Sequence, residues 1–224
     1  MSEIQNVIVC FAGRKGSGKS TALRRVLEHC PRFFLFDING EHGWIPNRFG
    51  RMADVEQFLA WGETQKCFAG SYLPSRDMPA FFAQLCNLVY AHGRLTFAVE
   101  EAPEVCSAAS LPDAFSVCIR RGRHRRLNLA WTCQRLAETS ITLRSQTDYF
   151  VIGSQAEPRD LDALAERCGR EAAEKAAGLG LHGFLVWDVV NRQEVPLEAV
   201  RAALAGVPDG SRVLAGAGSR AGQV

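Results

Sequence analysis

The sequence predicts a single α/β domain with a mainly parallel central sheet and helices on both of its faces. Two observations favour this class: the strand-like runs are apolar throughout, and helical patterns separate them. The 47% of residues that are hydrophobic indicate an ordinary globular protein and exclude wholesale disorder. Strands that are buried on both faces appear as continuous apolar runs, whereas half-exposed strands alternate. A domain of this 224-residue length buries about 70% of the surface that its unfolded chain exposes.

The elements follow from these patterns in chain order. The predicted strands are Ile4–Ala12, Phe33–Ile38, Lys66–Tyr72, Leu95–Val99, Leu127–Cys133, Tyr149–Gly153 and Phe184–Val190. The predicted helices are Ser20–His29, Val55–Trp61, Pro79–Ala91, Pro112–Arg120 and Glu157–Arg167. We expect Lys66–Tyr72 at an edge of the sheet. We expect the domain to cover residues 1–205, and residues 206–224, rich in Gly, Ser and Ala, to form a flexible tail.

Composition excludes several classes of protein. No apolar run approaches the ~20 residues of a transmembrane helix, and the start of the chain lacks the basic region of a signal peptide. The eight cysteines form no CxxC pair and no zinc-type cluster, so we expect them to be buried, reduced side chains in a cytoplasmic protein. The net charge of +2 does not indicate whether the protein binds nucleic acid, because the arginines are unevenly distributed along the chain.

The first strand leads into a phosphate-binding loop. Gly13-Arg14-Lys15-Gly16-Ser17-Gly18-Lys19-Ser20 matches the GxxxxGK[ST] pattern (Walker A), and Thr21 continues into a helix. Backbone N–H groups of such a loop surround phosphate oxygens, and the helix N-terminus favours negative charge. We expect Lys19 at the β- and γ-phosphates and the Ser20 hydroxyl at Mg²⁺. The pattern therefore predicts that Gly13–Thr21 binds a nucleoside triphosphate.

Two carboxylates follow the strand Leu95–Val99. Side chains alternate along a strand, so Glu100 and Glu101 should point in different directions. We assign Glu100 to the metal and Glu101 to the polarisation of an attacking water, which indicates hydrolysis. The reverse assignment, and a merely solvated strand end, remain alternatives.

Further polar residues follow the second strand, at Asp37 and Glu41. Because the carboxyl ends of parallel strands line the ligand crevice, these residues could reach the site or a neighbouring subunit. The turn-forming pair Asn39-Gly40 explains the same stretch structurally, so both interpretations stay open.

Five arginines precede the strand Leu127–Cys133, and Gln134 ends it. They are Arg120, Arg121, Arg123, Arg125 and Arg126. At the start of a parallel strand they lie at the sheet edge opposite their own nucleotide, so an arginine finger here would act on an adjacent subunit. A DNA phosphate-binding patch and a solvated loop are the alternatives. Gln134 is expected to sense the γ-phosphate, or to be an ordinary strand-end residue.

Together these motifs resemble the FtsK/HerA superfamily of P-loop ATPases, over roughly residues 4–155. The resemblance depends on the phosphate loop, Asp37…Gly40-Glu41, Glu100-Glu101-Ala102, Arg120-x-Gly122-Arg123, and Leu127–Gln134-Arg135. It implies a RecA-like (ASCE) fold. The size of the chain looks most like the genome-packaging ATPases of tailless, membrane-containing double-stranded DNA viruses.

The resemblance also implies site residues and partners. It places the trans arginine finger on Arg123, with Arg120 second, and the sensor on Gln134. Gln134-Arg135-Leu136 departs from the usual Gln-Arg-Pro but keeps the glutamine. The implied activity is ATP hydrolysis with Mg²⁺ that moves double-stranded DNA through a ring of subunits, with six expected. Docking to a viral capsid or membrane protein, and a location in the host cytoplasm or the virion, are further implications.

Two other functions fit the same residues. A small-molecule or nucleotide kinase also uses a phosphate loop and arginines, but it needs an acceptor pocket. A nucleotide-binding assembly protein would use ATP to order a subunit interface without rapid turnover. Stimulation of turnover by DNA distinguishes a translocase from both.

Overall fold

The computed structural model describes residues 6–74 and 78–205, whose strands form one nine-stranded sheet. The strands are β1 (Ile8–Ala12), β2 (Arg32–Phe36), β3 (Asn47–Phe49), β4 (Phe68–Tyr72), β5 (Leu95–Val99), β6 (Leu127–Cys133), β7 (Tyr149–Gly153), β8 (Phe184–Asp188) and β9 (Gln193–Glu194). Their order across the sheet is β3-β4-β2-β5-β6-β1-β7-β8-β9. The first seven strands in this order, from β3 to β7, are parallel to one another, whereas β8 and β9 are antiparallel to their neighbours.

Eight α-helices connect the described strands. They are α1 (Lys19–Leu27), α2 (Met52–Gly62), α3 (Met78–His92), α4 (Asp113–Arg121), α5 (Ile141–Ser145), α6 (Pro158–Cys168), α7 (Arg170–Ala177) and α8 (Leu197–Ala205). A short 3₁₀ segment, Gly122–Arg125, joins α4 to β6. Within the described ranges, no helix is both long enough and apolar enough to cross a bilayer.

The core lies in two layers, one on each face of the sheet. Along β1, Ile8 and Cys10 contribute to one layer, whereas Val9 and Phe11 contribute to the other. Helices α1 and α8 cover the second layer, and most of the remaining helices cover the first. Every residue of β1 and β6 is buried, as expected of parallel strands covered on both faces.

The predicted α/β class is confirmed, but some elements differ from expectation. Lys66–Tyr72 is not an edge strand: β4 lies between β2 and the short, partly exposed β3, which the sequence pattern did not reveal. The last predicted strand ends at Asp188 and pairs antiparallel to β7. The predicted tail, residues 206–224, lies outside the described residues. Seven cysteines are buried, as expected, and Cys67 is partly exposed; all eight are free thiols.

The parallel strands give the sheet two chemically different edges. We call the edge where β1, β2, β5 and β6 end the carboxyl edge, and the edge where they begin the amino edge. The phosphate loop, Asp37, Glu100 and Gln134 each follow directly on a strand end. Loops at the carboxyl ends of parallel strands line the ligand crevice of open α/β sheets.

Candidate functional site

The loop between β1 and α1 has the backbone of an anion-binding turn. Gly16 and Gly18 have φ angles of 76° and 92°, which a residue with a Cβ adopts only under strain. A Cβ on Gly13 would lie 2.6 Å from Ser17 Oγ and 3.2 Å from the Cα of Gly153, so a larger residue would force the loop to shift. The Gly13 N–H donates to the Cys133 carbonyl at the end of β6. This anchors the loop to the carboxyl edge.

Two polar side chains of the loop, Lys19 and Ser17, are buried. Lys19 is buried, and its Nζ donates to the Arg14 carbonyl oxygen at 3.3 Å. The Ser17 hydroxyl is buried without a hydrogen-bond partner. Because helix α1 begins at Lys19, the N–H groups of its first turn have no intrahelical acceptor. The loop thus presents donors and a cation to whatever it encloses, which suits phosphate oxygens.

Glu100 lies next to the loop, although 80 residues separate it from Ser20 in the chain. The Ser20 hydroxyl donates to Glu100 Oε1 at 3.4 Å. Glu100 is 2% exposed, and its other oxygen, Oε2, is buried with no hydrogen-bond partner. A buried carboxylate oxygen without a partner is costly unless a cation or water reaches it. A hydroxyl beside a carboxylate fits Mg²⁺, a cation that prefers oxygen ligands.

A histidine that the sequence reasoning did not assign completes this arrangement. His42 Nε2 lies 3.0 Å from Glu100 Oε1, and both side chains are buried. Asp37 accepts the backbone N–H groups of Glu41 and His42 with its two oxygens, at 3.1 and 3.2 Å. Asp37 therefore builds the turn, and the exposed Glu41 does not join the cluster. Asp37 thus lies at the site, with a ligand atom within 4.8 Å of those of His42 and Glu100, and it also forms the turn that carries His42.

The second carboxylate, Glu101, lies beside Gln134. Gln134 Nε2 donates to Glu101 Oε1 at 3.2 Å. The Glu101 N–H donates to Thr132 Oγ1 at 2.9 Å, and its φ of 44° is the left-handed region that few non-glycine residues adopt. Glu100 and Glu101 therefore have different hydrogen-bond partners, although both lie beyond the end of β5.

The arginine cluster lies at the amino edge, on the opposite side of the sheet from the phosphate loop. Arg120 lies in the last turn of helix α4, and Arg123 lies in the 3₁₀ segment before β6; both are exposed. Within residues 6–74 and 78–205, neither guanidinium has a hydrogen-bond or ion-pair partner. Neither arginine therefore contacts the carboxyl edge of its own chain.

Other members of the cluster have a different role. Arg125 donates to the carbonyl oxygens of Tyr90, at 2.9 Å, and of Ala91, so it is held against α3. A surface hollow of about 300 Å³ beside it is lined by basic residues: His92, Arg94, His124, Arg125 and Arg126. Such a hollow favours an anion.

One ion pair connects the site to the helical layer. Arg135, next to Gln134, donates from Nε to Asp160 Oδ2 at 2.7 Å, and the Ala137 N–H donates to Asp160 Oδ1 at 2.9 Å. Asp160 is fully buried at the start of α6. The hydrogen bond to Asp160 raises the pKa of Arg135. This pair holds the loop after β6, and with it Gln134.

Comparison with known proteins gives a likeness in structure alone. No protein-family model matches the chain, and no curated protein matches it. The genome-packaging NTPase B204 of Sulfolobus turreted icosahedral virus 2, in complex with ATP-gammaS, superposes with a TM-score of 0.73 at 21% identity, covering 87% of this chain and 97% of that one. Its complex with AMPPCP gives 0.72 at 22%, covering 85% and 96%.

A third solved structure agrees with these two. B204 of Sulfolobus turreted icosahedral virus, described as a DNA-packaging ATPase, gives a TM-score of 0.70 at 22% identity and covers 87% of this chain and 97% of that one. At this identity the likeness shows a shared fold. The predicted resemblance to viral genome-packaging ATPases and the predicted RecA-like P-loop fold are confirmed at that level.

Proposed function

We propose that the chain hydrolyses ATP to move double-stranded DNA, as the packaging motor of a virus that works as a ring of identical subunits. The observation that most supports ATP hydrolysis is the convergence, at the carboxyl edge, of the phosphate loop with Glu100, Glu101 and Gln134. The fold shared with B204, whose structures hold AMPPCP and ATP-gammaS, supports ATP as the nucleotide.

The phosphates of ATP would bind in the loop Gly13–Thr21. The first-turn N–H groups of α1 would donate to the β-phosphate, and Lys19 would exchange the Arg14 carbonyl for phosphate oxygens. Mg²⁺ would be held by Ser20 and Glu100, the latter through Oε2. When bound, it would neutralise charge on the β- and γ-phosphates.

Glu101 is the proposed general base. Its carboxylate would take a proton from water as the water oxygen bonds to the γ-phosphorus. The bond from that phosphorus to the bridging oxygen breaks, and its electron pair leaves with ADP. Gln134 donates to Glu101, so the residue that would contact the γ-phosphate also orients the base.

The arginine finger is proposed to come from a neighbouring subunit. Arg123 and Arg120 have no partner in the described part of their own chain and lie at the edge opposite its phosphate loop. In a ring, the amino edge of one subunit can face the carboxyl edge of the next. Six subunits are proposed from the resemblance alone.

Double-stranded DNA is the molecule that we propose the ring moves. The hollow lined by basic side chains at the amino edge suits backbone phosphates, and binding there would weaken with salt. A packaging role places the ring in the host cytoplasm or on the virion, docked to a capsid or membrane protein.

The test is ATP turnover with and without double-stranded DNA, for wild type, Lys19→Ala and the control Lys66→Ala. We expect DNA to raise turnover in wild type. Lys19→Ala should lose about 10²- to 10³-fold, as removal of a donor to developing charge does. Lys66 is exposed shortly before β4 and away from the phosphate loop, so without DNA its variant should match wild type.

Other results would contradict the proposal. Turnover that DNA does not change would exclude a translocase, and absent turnover with normal nucleotide binding would favour an assembly protein. Phosphoryl transfer to a nucleoside monophosphate without stimulation by DNA would favour a kinase.

A further inference from the structure

Three buried side chains, Asp37, His42 and Glu100, offer ligand atoms within 4.8 Å of one another, next to Ser20. Such a cluster has two explanations. It could be a three-ligand metal site, or it could be a chain of hydrogen bonds that positions one carboxylate. The partners of each polar atom distinguish between them.

The atoms of Asp37 and His42 are already engaged. Both Asp37 oxygens accept backbone N–H groups, from Glu41 and His42. Trp44 Nε1 donates to His42 Nδ1 at 3.2 Å. An indole N–H can only donate, so Nδ1 acts as the acceptor and the ring proton lies on Nε2. A nitrogen that carries a proton is not a metal ligand.

The protonated nitrogen faces Glu100. His42 Nε2 donates to Glu100 Oε1 at 3.0 Å, a normal hydrogen-bond distance, whereas the Ser20 hydroxyl is farther away at 3.4 Å. Glu100 Oε2 has no partner and is buried. Among the carboxylate oxygens of this cluster, Glu100 Oε2 is the one that accepts no hydrogen bond, so it is the most open to a cation.

We propose that His42 is a positioning residue: it fixes the carboxylate of Glu100 by donating to Oε1, so that Oε2 faces the divalent cation of the nucleotide. This inference depends on the proposed function, because that function brings Mg²⁺ and nucleotide to Ser20. Trp44 sets the tautomer of His42, and Asp37 sets the turn that carries it. A neighbour of a ligand that is held in this way typically changes metal affinity or activity by about 10- to 100-fold.

The surroundings of His42 keep its ring in this orientation. Trp44 is itself held, since its indole packs 5.7 Å from Phe33 and the Arg24 guanidinium lies 5.3 Å above it. The imidazole is 2% exposed, so its bond to Glu100 is shielded from water. A shielded donor holds its acceptor in one orientation more firmly than an exposed donor does.

The experiment measures equilibrium binding of a fluorescent, non-hydrolysable ATP analogue as Mg²⁺ is titrated, without DNA. His42→Ala should raise the half-saturating Mg²⁺ concentration about 10- to 100-fold, and should leave metal-free nucleotide binding unchanged. His42→Gln, whose amide can donate from a similar position, should recover most of the loss. His29→Ala, at an exposed histidine just after α1, is the matched control and should behave as wild type.

A milder variant covers the case in which His42→Ala does not fold. Trp44→Phe keeps a ring against Phe33 but removes the donor to Nδ1. It should raise the half-saturating Mg²⁺ concentration by about 2- to 12-fold, the worth of one hydrogen bond. An unchanged Mg²⁺ requirement in Trp44→Phe would contradict the assigned tautomer.

Several outcomes would overturn the proposal. An unchanged Mg²⁺ requirement in folded His42→Ala would do so, and so would a His42→Gln variant as impaired as His42→Ala. With Mn²⁺ in place of Mg²⁺, pulsed electron paramagnetic resonance showing imidazole nitrogen bound to the metal would make His42 a ligand instead. Wild type that binds no nucleotide with Mg²⁺ would overturn the proposed function as well, which separates the two failures.

Discussion

The functional side chains at the two edges of the central sheet differ in burial and in hydrogen bonding. At the carboxyl edge, Lys19, Asp37, His42 and Glu100 are buried and have hydrogen-bond partners within the site. At the amino edge, Arg120 and Arg123 are exposed, without partners in the described residues. Groups that are held in place before a ligand arrives suit a site that acts within its own subunit. Groups that are left free suit a site that another molecule completes.

Arg123→Ala tests this contrast between the two edges with the largest expected effect. If Arg123 stabilises charge on a neighbour's γ-phosphate, turnover should fall by about 10³- to 10⁵-fold, while nucleotide binding stays near wild type. Steady-state ATP hydrolysis and equilibrium nucleotide binding measure the two quantities. Arg170→Ala, at an exposed arginine at the start of α7, is the control. A loss of nucleotide binding in Arg123→Ala would mean that this arginine acts within its own chain.

Glu101→Gln tests the general base proposed at the carboxyl edge. Loss of a general base should lower turnover by about 10²- to 10⁴-fold, and ATP should still bind because Lys19 and Glu100 are untouched. Single-turnover hydrolysis with binding measured in parallel checks this. Glu104→Gln, at an exposed glutamate in the short 3₁₀ turn that follows, is the matched control. Equal activity of Glu101→Gln and wild type would contradict both assignments of the two carboxylates.

The basic hollow at the amino edge makes a smaller prediction, about DNA. Replacing Arg94 and Arg126 together by alanine should weaken binding of double-stranded DNA uniformly across sequences. The slope of log affinity against log salt should become shallower by about 0.9 for each DNA phosphate that is no longer neutralised. Fluorescence anisotropy at several salt concentrations measures this slope. An unchanged slope would show that the hollow faces something other than DNA.

The smallest effect concerns the sheet that both edges share. Burial raises the pKa of Cys30 to about 12 from its ordinary value of 9.0, and that of Cys168 likewise to about 12. The unfolded chain therefore loses these protons at a lower pH than the folded chain does. The free energy of unfolding should then fall as pH rises above about 9. Below that pH the buried thiols stay protonated and unreactive.

Thiol labelling checks the same burial directly. At pH 8, only the partly exposed Cys67 should react quickly with a disulfide reagent, and all eight thiols should react after denaturation. Cys67→Ser should remove the fast phase. Rapid labelling of several thiols in the folded protein would show that the sheet opens readily and exposes its buried cysteines, contrary to this prediction.

Sequence patterns predicted the parts of the site that depend on strand ends. Gly13–Ser20, Glu100 and Gln134 could be located because a parallel sheet brings the ends of its strands together, whatever the loops do. The pairing of Glu101 with Gln134 follows from that geometry, although no pattern gives its 3.2 Å distance.

Other parts could not be predicted, because they depend on contacts between distant segments. His42 gains its role from Trp44 and from the turn built by Asp37, and nothing in a lone histidine signals this. The bond from Arg135 to Asp160 joins residues 25 apart, at the ends of different elements. Strand β3 has three residues, none of them buried, and no apolar run to reveal it.

The central claim is that the amino edge of one subunit completes the carboxyl edge of another, and mixing inactive subunits tests it most directly. Arg123→Ala chains keep their own base, and Glu101→Gln chains keep their arginine. If the arginine acts in trans, mixed assemblies should regain ATP turnover, with a maximum at intermediate ratios, whereas each variant alone stays inactive. Mixtures that show no more turnover than the two separate variants would contradict the account.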